Sequence, residues 1–325
     1  MIVEQSKQIV EEISKAFIGK TEIIEKVLMT IYAGGHVLLE DAPGVGKTTL
    51  ALAFSGIALF SYERGNVIYL AVIGMVCFIE HYQSENKVLR EWAFIALAFA
   101  AAIKGYPAIF GILLIWEKRW KEAIRLMIYG LLFCFGPFAL IGTGFKYNIT
   151  QWLANLGENG EKYMFTHNPR FGYLFFLSQM KSGDTRDMWN EVLKIIFYIL
   201  AIIGIIVISR QKTWWKKAAM LVSIIILLPT NSGFYCGLYL FPIVVLFFNE
   251  EEHNWLDILY MLSMIVILNP FQLMTKKGVN ITLTATNIAM FVFAGLLLID
   301  NIVNFIRVLI EQHKNKIRIK GALPD

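Results

Sequence analysis

The sequence predicts an all-α polytopic membrane protein with about 8–10 transmembrane helices, preceded by a short, incomplete α/β P-loop fragment at the N-terminus. Of the 325 residues, 57% are hydrophobic and 17% are charged, whereas an average soluble domain has about 45–50% apolar and about 25% charged residues. Apolar runs such as 195–208 and 281–299 are typical of helices that contact lipid or each other. A nucleotide-binding pattern gives way to this membrane-type sequence near residue 50.

Residues 1–50 are predicted to form a truncated, cytoplasmic fragment of a soluble αβ unit. Helical spacing covers residues 3–17 and 21–33, and residues 35–40 have the composition of a buried strand. A glycine-rich loop follows this strand, and a helix begins after the loop. The order of the segments is that of a P-loop, but the fragment is too short to be a domain.

The glycine-rich loop contains the candidate nucleotide-binding residues Gly44, Gly46, Lys47 and Thr48. Backbone amides of such a loop hold phosphates, the lysine reaches the terminal phosphates, and the hydroxyl binds Mg²⁺. Asp41 stands where the standard pattern has its first glycine. A P-loop ATPase also needs a second strand with acidic residues, and the sequence offers none. We therefore expect no ATP turnover, while binding of ATP with Mg²⁺ stays open.

The P-loop segment has a family resemblance. The run HVLLEDAPGVGKTTLALA, with IGKTEIIEKVLMTIYAGG before it, resembles the start of MoxR-type AAA+ ATPases over about residues 10–53. The resemblance implies an ATP-binding function for this segment alone. It ends where the apolar helices begin.

The multi-spanning domain is predicted to cover residues 51–325. Lysine and arginine concentrate in the loops on one side, so the positive-inside rule predicts a multi-pass protein of the cell membrane with both termini in the cytoplasm. The long loop 144–189 then faces the extracytoplasmic side. The predicted membrane helices lie near 49–61, 67–80, 92–104, 107–117, 123–143, 190–209, 217–230, 234–248, 255–272 and 281–308.

Charge and cysteine content argue against several other classes of protein. The net charge of +5 falls mainly in short loops and in the tail 307–320, which is a topology signal, so no nucleic-acid partner is predicted. Cys77, Cys134 and Cys236 lie far apart in apolar segments, where a thiol is usually a small hydrophobic group. No disulfide framework and no metal site are predicted.

The clearest polar feature of the membrane domain is Lys104, which ends an apolar helix before Pro107 begins the next. This break is predicted to face outside, as does Arg64. A cation at a broken helix beside the aromatic Tyr106 suits the anionic headgroup of a prenyl phosphate, with Arg64 as a second contact. The alternative is that Lys104 only reaches the membrane interface and that Pro107 only kinks a helix.

Three sequence elements together resemble family 87 glycosyltransferases of the GT-C superfamily over about residues 54–310. They are Phe60-Ser-Tyr-Glu-Arg-Gly-Asn66, Lys104-Gly-Tyr106-Pro107 and Glu117-Lys-Arg-Trp-Lys121. The resemblance implies a GT-C-like membrane enzyme that transfers mannose or arabinofuranose from a polyprenyl-phosphate donor to a lipid or glycan acceptor outside the cytoplasm. It also implies that Lys104 and Tyr106 lie near the donor phosphate, with Arg64 and Asn66 near the active-site face.

The catalytic residue is where the chain departs from the GT-C pattern. In that superfamily an acidic residue of the first outer loop acts as general base toward the acceptor hydroxyl, and here residues 1–50 stand in place of that region. The substitute candidates are Glu63, His167 and Asp184, although carboxylates in such positions are more often only solvated. We therefore expect the transferase activity to be impaired.

Two alternatives from other classes stay open. The first is a MoxR-like AAA+ ATP-binding protein with a membrane anchor, which a second acidic strand would favour. The second is a non-enzymatic lipid-binding or transport membrane protein, which donor binding without sugar transfer would favour.

Overall fold

The fold is α-helical throughout the part of the chain that the structure, a computed structural model, describes. In those ranges the β-structure is limited to an isolated antiparallel bridge between Arg170 and Gly233. The all-α prediction is thereby confirmed, while the predicted strand 35–40 and the glycine-rich loop with Gly44, Gly46, Lys47 and Thr48 lie outside the described residues. The structure describes residues 2–16, 21–33, 52–163, 170–229, 233–250, 254–269 and 281–320.

The α-helices of the described residues are numbered along the chain. They are α1 (Ile2–Ala16), α2 (Thr21–Tyr32), α3 (Gly56–Glu63), α4 (Ile68–His81), α5 (Lys87–Lys104), α6 (Ile112–Trp116), α7 (Trp120–Leu140), α8 (Phe145–Tyr163), α9 (Tyr173–Leu177), α10 (Asp184–Ile208), α11 (Trp214–Leu227), α12 (Leu240–Phe248), α13 (Trp255–Leu268) and α14 (Ile281–Lys320). Two 3₁₀ helices, Tyr106–Gly111 and Phe234–Tyr239, precede α6 and α12.

Among the residues that the structure describes, three helices are long and apolar enough to cross a membrane: Trp120–Leu140, Asp184–Ile208 and the Ile281–Lys314 part of α14. Each of the other predicted membrane segments also has a helical counterpart. The predicted helix 49–61 differs most, because a turn at residues 54 and 55 interrupts it and the 8 residues of α3 follow as a separate helix. At 1.5 Å per residue, α3 is roughly 12 Å long, less than half of a bilayer core.

The main hydrophobic core lies between α4, α5 and the helices α11 to α14, around buried aromatic residues such as Phe78, Phe94 and Trp215. Helices α4 and α5 approach closely at Gly74, where an added Cβ would lie 2.5 Å from the carbonyl oxygen of Ala96. Small residues permit such close contact between membrane helices. The core is therefore organised as in a helical membrane bundle.

Large apolar side chains are exposed on the long helices. On α7 they include Ile128 and Leu132, and on α10 they include Ile199 and Ile202. Such a surface is costly in water and ordinary in lipid. The exposed faces of α7 and α10 therefore support a membrane protein.

The connection 144–189 is more structured than the sequence predicts. Helix α8 covers 19 of its residues and packs against α7, with the ring of Trp152 centred 6.0 Å from that of Phe135. The Asn148 amide also donates to the carbonyl oxygen of Phe138 at 3.0 Å. The glycines predicted a loop, but these contacts with α7 stabilise a helix there.

Two ends of the bundle are distinguished by α5, whose 18 residues span roughly 27 Å. Lys104 is its last residue and defines the Lys104 end. The first turns of α5 belong to the Arg119 end, where Arg90 forms an ion pair with Glu122 at 3.2 Å. Trp214 belongs to the Arg119 end as well, since its ring stacks on Tyr82 with the centroids 5.8 Å apart. Helix α11 therefore begins at the Arg119 end, and α10 ends there.

An ion pair joins α11 to α14 inside the bundle. The Lys216 ammonium lies 2.6 Å from a carboxylate oxygen of Asp300, and the Tyr260 hydroxyl donates to the same oxygen at 3.4 Å. Nearby, the Gln211 amide donates to the side-chain oxygen of Asn301 at 2.7 Å. These polar groups at the Arg119 end are thus paired with one another, which lowers the cost of removing them from water.

Candidate functional site

The break after α5 fixes the position of Lys104. Gly105 ends the helix with a positive φ of 55°, a conformation that glycine adopts without steric cost. The first 3₁₀ helix begins at once, with Pro107 in its first turn, where the missing N–H costs nothing. The structure therefore has the helix break that the sequence predicts at Lys104.

The Lys104 ammonium rests on an aromatic ring. It lies 5.0 Å from the ring centroid of Tyr235, in the second 3₁₀ helix, and its side chain is half-buried. A cation over an aromatic face is attracted by the ring quadrupole. The contact holds the ammonium without neutralising it, so its positive charge stays available to an anion.

A group of tyrosines lies under this contact. Tyr106 is half-buried against the core and neighbours Tyr235 and Cys236. Tyr239, about one turn after Tyr235 in the second 3₁₀ helix, is fully buried. Its hydroxyl has no hydrogen-bond partner within the described part of the chain. The Lys104 end therefore contains hydroxyl groups that sequence reasoning did not connect with Lys104.

Arg64 lies at the same end. It follows the last residue of α3, and its guanidinium is 5.0 Å from the ring centroid of Phe60. The Phe60 ring in turn meets Phe234 edge-on at 5.7 Å. Phe234 and Tyr235 are consecutive residues of the second 3₁₀ helix, so Arg64 and Lys104 contact aromatic rings in the same region. We name the rings of Phe60, Phe234 and Tyr235 the aromatic ledge.

Asn66 has a local structural role. Its side-chain oxygen accepts a hydrogen bond from the backbone N–H of Ile68 at 3.1 Å, which satisfies a free donor at the start of α4. The side chain is therefore held in place beside Arg64. Contact with a ligand would have to use its amide group.

Arg170 is a buried cation at this end that sequence reasoning missed. It is 5% exposed, it bridges Gly233, and the adjacent Phe171 stacks on Phe234 with the centroids 5.1 Å apart. Burial lowers the pKa of its guanidinium from the ordinary value, yet an arginine stays charged at neutral pH. The sequence does contain a signal for a structured turn at this position, because Arg170 directly precedes the pair Phe171-Gly172 in the long connection.

The Asn287 side chain fixes the Arg170 segment. Its amide donates to the Arg170 carbonyl oxygen, and its oxygen accepts from the Gly172 N–H, both at 3.0 Å. Gly172 has a positive φ of 93°. It also lies close to the backbone of Leu227, and a Cβ added at Gly172 would lie 3.2 Å from the Leu227 carbonyl oxygen. Glycine is therefore required where this segment turns against α11.

The three candidate catalytic residues lie in different parts of the chain. Glu63 is exposed in the last turn of α3, directly before Arg64. Asp184 is exposed in the first turn of α10, whose far end is at the Arg119 end, so the 25-residue helix brings Asp184 toward the Lys104 end. His167 lies outside the described residues. In the described ranges no three His, Cys, Asp or Glu side chains form a group that could hold a metal ion.

The arrangement at the Lys104 end is suited to an anionic, partly apolar ligand. Two cations lie on the aromatic ledge, and a third, Arg170, is buried behind it. Cations bind phosphate oxygens strongly where water is scarce. The aromatic and apolar surroundings suit a lipid chain.

Comparison with known proteins gives one extensive match and two short ones. The family model described as "Glycosyltransferase family 87" matches residues 26–230. The "Uncharacterized protein YeaC" of Bacillus subtilis is 48% identical over 46 residues, or 14% of each chain. "Protein MoxR" of Methylorubrum extorquens is 45% identical over 53 residues, or 16% of each chain. The chain thus spans about one sixth or less of these relatives, and no solved structure matches it.

Proposed function

Since the chain belongs to glycosyltransferase family 87, we propose that it transfers a sugar from a polyprenyl-phosphate donor to a lipid or glycan acceptor at the Lys104 end of the bundle. The donor sugar in this proposal is mannose or arabinofuranose. The single observation that carries it is the pair of cations, Arg64 and Lys104, on one aromatic ledge.

Donor binding in this proposal rests on charge. The phosphate contacts the Lys104 ammonium, with the Arg64 guanidinium as a second partner and the Tyr106 hydroxyl as hydrogen-bond donor. The polyprenyl chain leaves the site along the apolar surface of the bundle into lipid. Asn66 borders the site through its amide group.

Sugar transfer breaks the bond between the anomeric carbon and the phosphate oxygen and forms a bond from that carbon to the acceptor oxygen. The cations stabilise the negative charge that develops on the departing polyprenyl phosphate. The acceptor hydroxyl loses its proton to a general base. Glu63 is the best-supported base, because it is exposed directly before Arg64, ahead of Asp184 and His167.

Turnover in this proposal is slow. In the GT-C enzymes that the chain resembles, the base belongs to the first outer loop, whereas Glu63 belongs to α3. The proposal therefore separates donor binding, which uses Lys104, from transfer, which needs the base. Donor binding without any transfer would instead favour the non-enzymatic lipid-binding or transport alternative.

The Lys104 end faces the extracytoplasmic side of the cell membrane in this proposal. The Arg119 end carries the greater number of cations, as the positive-inside rule requires of a cytoplasmic surface. The C-terminal part of α14 is then cytoplasmic as well. In this orientation α1 and α2, which pack against Leu59 and Tyr62 of α3, lie toward the Lys104 end, unlike the cytoplasmic N-terminus that the sequence predicts. Cations at the Arg119 end include Lys87, Arg90, Lys118, Arg119, Lys121, Arg125, Arg210 and Lys212, with Lys216 and Lys217 in the first turn of α11.

The N-terminal P-loop segment enters the proposal only as a nucleotide-binding fragment. The short similarity to "Protein MoxR" supports its origin in that kind of ATPase. ATP with Mg²⁺ would contact Gly44, Gly46, Lys47 and Thr48. We expect no ATP hydrolysis, because the sequence lacks the second acidic strand.

The proposal is tested by donor binding to the Lys104→Gln variant in membranes. We expect the retention of radiolabelled polyprenyl-phosphate mannose to fall roughly 10-fold or more, because one charge-assisted contact to phosphate is worth about 1.5–3 kcal/mol. Lys87→Gln is the matched control, since Lys87 is an exposed cation at the other end of the same helix. Equal donor retention by the wild type and the Lys104 variant would contradict the proposal.

A further inference from the structure

The turn between α6 and α7 forms an open recess of about 670 Å³ at the Arg119 end. We name it the Trp120 recess. It is separated from the Lys104 site by the length of α5, and the proposed function uses its cations only as a signal of topology. The recess is lined by Lys118, Arg119, Trp120, Lys121, Glu122 and Arg125.

The floor of the recess is held by ion pairs. The Arg119 guanidinium contacts Glu122, bonds Glu117 at 3.1 Å and donates to the Tyr82 carbonyl oxygen at 2.8 Å. Arg125 lies 3.4 Å from a carboxylate oxygen of Glu91. These contacts join the ends of α4 and α6 to the starts of α5 and α7, so the recess has a defined shape.

Positive charge remains after this pairing. The network and recess contain the cations Arg90, Lys118, Arg119, Lys121 and Arg125 and the carboxylates Glu91, Glu117 and Glu122, an excess of two positive charges. The excess belongs to Lys118 and Lys121, since the described part of the chain gives neither an ion pair. Both side chains are exposed.

The backbone at Lys118 is strained. Its φ of 58° lies in the left-handed region, which costs a non-glycine residue roughly 1–2 kcal/mol. Glycine would relieve this strain at no steric cost. The conformation closes the C-terminus of α6, where the N–H groups of Lys118 and Arg119 donate to the carbonyl oxygens of Ile115 and Leu114 at 3.0 and 2.8 Å. This cap places Lys118 in the turn beside Trp120.

An apolar track continues from the recess along α7. Trp120 is 56% exposed, and Ile124, Ile128 and Leu131 follow it at helical spacing with exposures of 53%, 46% and 51%. Residues three and four apart share one face of a helix. Charged groups at the membrane surface and an apolar face below them match the two parts of a phospholipid.

We propose that the Trp120 recess binds the headgroup of an anionic phospholipid, whose acyl chains lie along Ile124, Ile128 and Leu131. Lys118 and Lys121 contact the phosphate, and Trp120 packs at the level of the headgroup, where tryptophan is enriched in membrane proteins. The apolar track favours a lipid over a free phosphate compound. Anionic lipid also fits the cytoplasmic leaflet that the proposed orientation gives this end.

The test compares phosphatidylglycerol retained by the purified full chain with that retained by the double variant Lys118→Gln/Lys121→Gln. Protein is equilibrated with mixed vesicles of phosphatidylglycerol and phosphatidylcholine, and co-purified lipid is counted by native mass spectrometry. We expect the apparent affinity for phosphatidylglycerol to fall about 25-fold, since each lysine near an anionic headgroup contributes roughly fivefold. Phosphatidylcholine retention stays unchanged.

The matched control is Arg210→Gln/Lys212→Gln, which removes two exposed cations from the same end of the bundle. This variant keeps wild-type lipid retention if the recess is a site. An equal fall in both double variants, or in neither, overturns the proposal. Displacement of the lipid by soluble glycerol phosphate overturns it too, because the recess would then bind a free phosphate compound. Donor binding at Lys104 is measured in parallel and is unaffected by either result.

Discussion

At the residue scale, the aromatic partner of Lys104 sets how well it can bind a phosphate. The Tyr235 ring lies 5.0 Å from the ammonium and provides an attraction worth about 0.5–2 kcal/mol. This attraction orients the side chain and leaves its charge intact, whereas a carboxylate at the same place would cancel it. Tyr235 is therefore a positioning residue for the proposed donor site.

Replacement of Tyr235 tests that role. Tyr235→Leu is expected to weaken donor binding about 3- to 10-fold, because the ring that orients the ammonium is lost. Tyr235→Phe keeps the ring and is expected to bind nearly as well as the wild type. Donor retention in membranes measures both, and a similar loss in the two variants would assign the effect to the hydroxyl.

The contribution of sequence reasoning differs between these residues. Lys104 and Arg64 were predictable because a cation next to a helix break is visible in a short stretch of sequence. Tyr235 and Arg170 were not, since their contacts join segments more than 60 residues away and depend on packing. A buried arginine in a connection also looks like an exposed one until the fold is known.

At the element scale, the contact between α4 and α5 determines where the Lys104 end lies. Gly74 lets the two backbones approach, and the ion-pair network at the Arg119 end fixes their other ends. The sequence predicted the helices, because long apolar segments are unambiguous. It did not predict the helix α8, whose stability comes from contacts with α7.

Enlargement of Gly74 is expected to destabilise the bundle. In Gly74→Leu even the Cβ would lie 2.5 Å from the Ala96 carbonyl oxygen, so α4 and α5 must separate, at a cost of about 2–4 kcal/mol. Thermal unfolding in detergent measures the loss as a lower midpoint. Gly130→Leu on α7 is the control, because an added Cβ there meets nothing within 4 Å.

At the scale of the whole molecule, the two ends carry different chemistry. The Lys104 end has cations on aromatic rings, and the Arg119 end has a network of ion pairs with excess lysines. Membership of the glycosyltransferase family and the apolar helices agree on a membrane protein. The proposed orientation assigns the first end to the outside and the second to the cytoplasm.

The orientation can be measured by cysteine labelling. In a variant without Cys77, Cys134 and Cys236, we expect Glu63→Cys to react with a membrane-impermeant maleimide in intact cells. We expect Lys121→Cys to react only after permeabilisation, because the positive-inside rule assigns it to the cytoplasm. The reverse pattern would invert the topology and leave the proposed donor site inside the cell.

The polar contacts of α14 have a consequence for biogenesis. Asn287, Asp300 and Asn301 bond to partners 84 to 117 residues earlier in the chain. During synthesis Lys216 and Gln211, at the Arg119 end, are therefore translated long before the groups that pair with them. The last helix completes these pairs, so the Arg119 end reaches its final polar contacts only after α14 has been inserted.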